Sequence, residues 1–209
     1  MEKFTKLSGV AAPFTRINVD TDLIIPAEYL KTISRSGLGK HLFSYIRYND
    51  DGSQKKEFIL NKAHYKKSII LITGKNFGCG SSREHAVWAL KDFGIQVVIS
   101  TSFADIFLRN SFKNELLLVT ITKKELEGLF NEISKSSKYC LTIDIQNQTI
   151  TTPNNLEINF DINDSDKDRI INGYDDIELT FKHKNKIQDF EDNMKRTKPW
   201  LFETDDEKK

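Results

Sequence analysis

The sequence is short of the residues that build metal and redox centres. It holds two cysteines, Cys79 and Cys140, in 209 residues. Two thiols exclude a disulfide framework, and they are too few for an iron–sulfur cluster, which takes three or four thiolates. Neither sits in a C-x-x-C pair, and His41, His64, His85 and His183 show no metal-ligand spacing. Any metal in the reaction therefore has to come from elsewhere. Net charge is scarce too. Lys+Arg 31 against Asp+Glu 30 leaves +1, a field too weak to imply nucleic acid or a membrane surface. No apolar run approaches the roughly 20 residues that span a bilayer. Met1-Glu2-Lys3-Phe4 leads into mixed residues without an apolar signal core, so the expected location is cytoplasmic.

What the chain does have is one unusual stretch, Asn76-Phe77-Gly78-Cys79-Gly80-Ser81-Ser82-Arg83-Glu84-His85. Before it, Ser68 to Thr73 reads as a buried strand; after it, Ala86 to Phe93 reads as a helix. Strand, glycine-rich turn and helix N-terminus, with a cation at the mouth, make a place to hold an anion.

Around that stretch the pattern alternates strands and short helices, which implies an α/β domain with parallel pairing. Leu7 to Val10 and Thr15 to Val19 read as short strands about a turn at Pro13. Asn18-Val19-Asp20-Thr21-Asp22 precedes an apolar run stopped by Pro26. Either it is an Asx-type turn capping a helix from Pro26 to Lys31, or one carboxylate orients a group of the central loop. The polar segment Lys31 to Lys40 is either a solvated connection or a lid that supplies Arg35 to a carboxylate. A helix at Leu38 to Arg47 and a strand at Glu57 to Leu60 follow.

Gln96 to Ser100 and Leu116 to Ile121 read as further strands. Ser102 to Asp105 and Thr122 to Glu125 read as capping boxes of the helices after them, the first with Phe103, Ile106, Phe107 and Asn110 on one face. Beyond Lys138 the pattern changes. Leu141 to Ile145, Gln148 to Thr151 and Leu156 to Phe160 suggest an antiparallel ribbon. A helix from Asp164 to Asn172 closes at Gly173, with a last strand at Glu178 to Phe181 and a last helix at Lys184 to Lys195. No repeat or linker divides the chain, so one domain over residues 1–201 is expected, with 202–209 as a frayed tail.

The central loop has a plain structural reading. Ser81 and Glu84 fit an S-x-x-E capping box, and Gly78 and Gly80 serve the turn. Cys79 reads as a small buried thiol and His85 as hydrogen-bonded structure rather than a base. Yet a cap needs one hydroxyl where two stand, and it does not need Arg83. The loop lacks the spacing of a Walker P-loop and the third glycine of G-x-G-x-x-G, which disfavours a nucleotide. An arginine beside exposed hydroxyls suits a planar carboxylate, gripped in bidentate fashion.

The stretch Asn76 to Ala86 resembles the signature loop of the aconitase swivel-domain family, in the cysteine-bearing form typical of 3-isopropylmalate dehydratase small subunits. Asn18 to Pro26 resembles a second block of that family and Ser102 to Phe107 a third, in the same order. Departures are Val87 and Leu118 where the family often has proline, and Asn114-Glu115 in place of a frequent Asn-Gly helix stop.

The resemblance implies a swivelling three-layer β/β/α domain of mixed parallel and antiparallel strands. It also implies a hydro-lyase active only with a separate large subunit, which carries a [4Fe–4S] cluster, so that this chain binds no cofactor. The implied reaction interconverts 2- and 3-isopropylmalate through a dehydrated intermediate in leucine biosynthesis. Carried onto this sequence, Ser81 is the base and Asp22 orients the serine or the arginine. Ser82, Arg83 and Arg35 hold the hydroxy-dicarboxylate, while Gly78, Cys79 and Gly80 supply loop backbone. The partner's iron acts as Lewis acid on the departing hydroxyl. Homoaconitase-type diacids are the near alternative for the substrate. A non-catalytic carboxylate-binding module is the alternative from another class, and intact Ser81 and Arg83 weigh against it.

Overall fold

The computed structural model describes residues 5–136 and 138–202, which fall into two compact units divided between Gly173 and Tyr174. The first unit is organised by strand β1, Lys6–Phe14. Its first five residues pair antiparallel with β5 (Cys140–Asp144), and its last four pair parallel with β2 (Ile70–Thr73). β1 is thus the strand shared by two kinds of sheet.

On one side β3 (Val97–Ser100) and β4 (Leu117–Thr120) extend the parallel set. On the other, β6 (Thr149–Thr151) and β7 (Glu157–Asn159) extend the antiparallel ribbon. The whole order is β4-β3-β2-β1-β5-β6-β7. The expected α/β class with mixed pairing is borne out. β2 and β3 are buried at every residue, as parallel strands covered on both faces must be.

Pro13 does not turn the chain. It lies inside β1, opposite Ile72. The ribbon side of β1 ends at Val10, so the second half has a strand neighbour on one side only, where a missing N–H is tolerated. Thr15 to Val19 is then loop rather than strand, with Asn18 in the left-handed region at φ 51°.

Local chemistry explains the other departures. The helix expected from Pro26 begins earlier, as α1 (Thr21–Ile24), because the Asp20 side chain accepts the Leu23 N–H at 2.6 Å. Only a 3-10 turn, Ala27–Tyr29, follows Pro26. The helix expected over Leu38 to Arg47 is broken by Phe43 at φ 55°, leaving a 3-10 turn at Gly39–His41 and α2 at Ser44–Arg47. The strand expected at Glu57 to Leu60 is a 3-10 turn, Ile59–Asn61. There the buried Asn61 amide donates to the carbonyls of Arg47 and Lys55, both at 2.9 Å, so these groups are satisfied without a sheet partner.

Helix α3 (Glu84–Phe93) turns Ala86, Val87, Ala89 and Leu90 into the core and stops at Gly94, φ 112°. Each buried Val or Leu contributes about 1.5–3 kcal/mol. Helix α4 (Asp105–Lys113) has no side-chain cap, against the expected Ser102 box. It buries Phe107, Ser111 and Phe112, while Ile106 is half exposed. The Thr122/Glu125 capping box is present and starts α5 (Lys123–Ser134). Helix α6 (Asp164–Asn172) ends at left-handed Gly173 as the sequence predicts.

The second unit holds α7 (Asp176–Phe181), α8 (Lys184–Thr197) and a 3-10 turn at Pro199–Leu201. The expected strand at Glu178 to Phe181 is helix because Asp175 and Glu178 close a reciprocal capping box. Of the tail expected from 202 onward, residues 203–209 lie outside the described ones. No helix among the described residues is long and apolar enough to cross a membrane.

Candidate active site

The three sequence blocks meet at the C-terminal ends of β1, β2 and β3, the edge of a parallel sheet where ligands bind. Pairing continues past the strands as isolated rungs, Asp20 opposite Cys79 and Phe77 opposite Phe103. The loop after β2 is therefore gripped from both sides. From the β3 side, Ser102 Oγ accepts the Asn76 N–H at 2.9 Å and the Ser102 carbonyl accepts the Phe77 N–H at 3.2 Å. That is the use the structure makes of Ser102 in place of a helix cap.

Gly78 sits at φ 77° directly under the Phe107 ring, and Gly80 follows at φ 88°. Both positive φ values favour glycine. At Gly78 a side chain would also run into Phe107. The two glycines let the chain pass close to α4 and turn outward to Ser81.

From the β1 side, residues Val19 to Asp22 hold the same loop. The Val19 carbonyl accepts the N–H groups of Gly78 (2.8 Å) and Cys79 (3.2 Å). The Thr21 N–H donates to the Cys79 carbonyl at 2.8 Å, and Thr21 Oγ1 donates to the Ser81 carbonyl at 3.0 Å. Asp22 Oδ1 accepts from Arg83 Nη1 in an ion pair, and also accepts the Ala27 N–H at 3.2 Å. Arg83 Nη1 lies 3.4 Å from the Ile25 carbonyl as well. Asp22 and Arg83, paired only by inference in the sequence, are brought together.

Ser81 and Ser82 are exposed. Neither hydroxyl meets a hydrogen-bond partner among the described residues, and the Ser81–Glu84 capping box does not form. The residue before α3 is Arg83, without a side-chain cap, and Glu84 Oε1 instead accepts from Asn114 Nδ2 at 2.7 Å. The backbone N–H groups of Ser81, Ser82, Arg83 and Glu84 likewise find no acceptor among the described residues. Two free hydroxyls and open N–H groups stand at a helix start beside a largely covered guanidinium, a combination that stabilises negative charge.

Cys79 is partly buried beneath this surface. Burial, and next the Asp20 carboxylate, push its thiol up from the ordinary value, which keeps it protonated and unreactive near neutrality. The other cysteine, Cys140, is on β5. Among the described residues no group of three or more His, Cys, Asp or Glu is arranged around a metal position.

Arg35 is not brought to this cluster. Its guanidinium lies over the Trp88 ring, 5.4 Å from the centroid, and no hydrogen bond or ion pair joins it to Ser81, Asp22 or Arg83 among the described residues. One turn earlier on α3, His85 Nε2 meets the Thr32 carbonyl at 2.8 Å. His85 is thus structural, as read from the sequence, and both contacts rest the 31–38 segment on α3. That segment ends at a fixed point: the Gly39 N–H donates to Asp92 Oδ2 (2.6 Å), and buried Arg47 donates to the Gly39 carbonyl (3.1 Å). Burial pulls the Arg47 guanidinium below its ordinary range, without making it lose its charge.

Three residues not assigned to the site from the sequence, Thr21, Trp88 and Asn114, support it. Asn114 joins Glu84 to Trp88, whose indole N–H donates to Asn114 Oδ1 at 2.9 Å. Thr21 carried no signal beyond its place in the block Asn18 to Pro26, between Asp20 and Asp22. Asn114 carried none beyond its place before a helix stop.

Comparison with known proteins places these features in a family. The model described as Aconitase C-terminal domain matches residues 1–124, and one described as LeuD_N matches 127–164. A third, describing the C-terminal domain of the 3-isopropylmalate dehydratase small subunit, matches 176–204. A 3-isopropylmalate dehydratase small subunit from Afipia carboxidovorans is 54% identical over 201 residues, 96% of this chain and 100% of the relative. One from Mesorhizobium japonicum is 52% identical over 200 residues, with the same coverage. Among solved structures, a 3-isopropylmalate dehydratase from Methanocaldococcus jannaschii is similar with TM-score 0.65 and 30% identity, covering 89% of this chain and 99% of that one.

Proposed function

Because the chain belongs to the 3-isopropylmalate dehydratase small-subunit family, we propose that it forms half of a hydro-lyase site that interconverts 2- and 3-isopropylmalate. The step is one of leucine biosynthesis, carried out with a separate large subunit in the cytoplasm. A proton leaves the carbon beside a carboxylate as hydroxide leaves its neighbour, giving 2-isopropylmaleate. Water then adds back with the positions exchanged.

Ser81 is the base in this reading. The observation that carries it is the loop itself: an unengaged serine hydroxyl, fixed by the segment after β1, beside open N–H groups and Arg83. An alkoxide is very unfavourable in water. Preorganised donors and a nearby cation are what lower that penalty. Asp22 holds one edge of the Arg83 guanidinium and orients the remaining donors toward substrate. Ser82 adds a hydroxyl to the same carboxylate, and Gly78, Cys79 and Gly80 keep the backbone close. Arg35 is assigned to the substrate's far side, which it reaches by leaving the Trp88 ring. An exposed cation–π contact costs only about 0.5–1 kcal/mol to give up.

Two thiols, one under the loop and one on the ribbon, do not form a cluster's ligand set. We therefore assign the [4Fe–4S] cluster to the large subunit, and the residues of this chain account for the proton and the carboxylates. The test is co-purification with a cluster-bearing large subunit of this family, followed by assays on isopropylmalate, citrate and homologous diacids. Turnover of isopropylmalate in preference to the others supports the reading. Failure to pair, or turnover of another diacid alone, removes it.

A further inference from the structure

Thr21 occupies an unusual position among the residues around the loop. The residue is 2% exposed, in a segment whose neighbours Asp20 and Asp22 reach solvent. Its N–H donates to the Cys79 carbonyl and its hydroxyl to the Ser81 carbonyl, at 2.8 and 3.0 Å. The two contacts straddle Gly80, whose positive φ gives this part of the loop its turn. Asp22 then takes Arg83, so Thr21 and Asp22 between them hold residues 79, 81 and 83 of the loop.

We propose that Thr21 is the positioning residue for Ser81 in the reaction assigned above. Nothing else among the described residues grips Ser81 by hydrogen bond, through either its N–H, its carbonyl or its hydroxyl. The Ser81 carbonyl belongs to the peptide between Ser81 and Ser82, one residue past the glycine turn at Gly80, and without the Thr21 hydroxyl that peptide swings. The base then spends less time at the distance and angle that proton transfer needs, and small misplacements are costly in rate. Thr21 does not touch the substrate. Arg83 keeps its own partner in Asp22, so carboxylate binding stays largely as it is. The inference rests on Ser81 being the base.

The experiment is a double-mutant comparison in the complex with the large subunit, with steady-state rates on isopropylmalate. Thr21→Val keeps the shape and removes the hydroxyl, Thr21→Ser keeps the hydroxyl, and each is also made with Ser81→Ala. Thr21→Val is expected to lower kcat about 10–100-fold, the range for losing one consequential hydrogen bond, with KM nearly unchanged. Thr21→Ser is expected to restore most of the rate. In the Ser81→Ala background Thr21→Val should change the residual rate little. Should Thr21→Val not assemble, Thr21→Cys serves in its place, with a smaller drop because its thiol is a weak donor. A loss expressed in KM alone, absence of rescue by serine, or a full further loss on top of Ser81→Ala overturns the inference. If Ser81→Ala itself turns over at the wild-type rate, the base assignment and this inference fall together. Additivity on an impaired Ser81→Ala enzyme removes this inference alone.

Discussion

Asp22 and Arg83, 61 residues apart in the chain, form an ion pair that ties the segment after β1 to the loop after β2. The guanidinium is mostly covered while the carboxylate is half exposed, with side-chain exposures of 18% and 49%. In the proposed reading, the donors that Asp22 leaves unpaired form the edge that meets the substrate.

Arg83→Lys tests whether that edge binds a carboxylate. Lysine keeps the charge and can keep Asp22, but it cannot present two parallel donors to substrate as well. The expected result is a rise in KM and a fall in kcat/KM of roughly 10–100-fold, from loss of a charge-assisted hydrogen bond worth about 1.5–3 kcal/mol. Steady-state kinetics of the complex measures it. Unchanged kcat and KM would take Arg83 out of the site.

Gly78→Ala tests the loop's approach to α4. The new methyl would have to share space with the Phe107 ring, on a backbone at φ 77°. Overpacking of about 1–3 kcal/mol adds to a left-handed penalty of about 1–2 kcal/mol. Denaturant unfolding of the isolated chain should show that loss of stability, and activity should fall with it.

Glu115→Gly is expected to act in the opposite direction. Glu115 stands at φ 60° immediately after Asn114, at the end of α4. This is the position where the family resemblance leads one to expect glycine. Relieving a non-glycine residue of that conformation should raise stability by roughly 0.5–1 kcal/mol, less what the contacts of the Glu115 side chain contribute. The carbonyl that accepts from Lys91 at 3.1 Å is backbone and survives the change. Thermal or urea unfolding decides it, and a lower midpoint would show that the Glu115 side chain matters more than its backbone.

These predictions draw on features that differ in how legible they were. The strands β2, β3 and β4, the helix α3 and the Gly173 stop of α6 were readable because apolar runs and a glycine after a helix are local signals. The capping box of α5 was readable for the same reason. The Ser102 box and the Ser81–Glu84 box look equally sound on paper, yet Ser102 and Glu84 were claimed by Asn76 and Asn114 across the fold. Pattern alone does not show which partner wins. Pro13 misled because proline is tolerated on an open strand edge, and which edge is open depends on where the ribbon ends. At the site, residue identity pointed to Ser81, Arg83 and Asp22. The meeting of Asp22 with Arg83 and of Thr21 with Ser81 needed the β1–β2 pairing, which joins segments 61 and 60 residues apart in sequence.

The central claim is that Ser81 takes the proton, and the most direct measurement is kcat of Ser81→Ala assembled with its cluster-bearing large subunit. Removing one general base is worth roughly 10²–10⁴ in rate. The account predicts a fall of that size, with KM for isopropylmalate close to wild type because Arg83 and Ser82 still hold the carboxylate. A Ser81→Ala enzyme that assembles and turns over at the wild-type rate would contradict it.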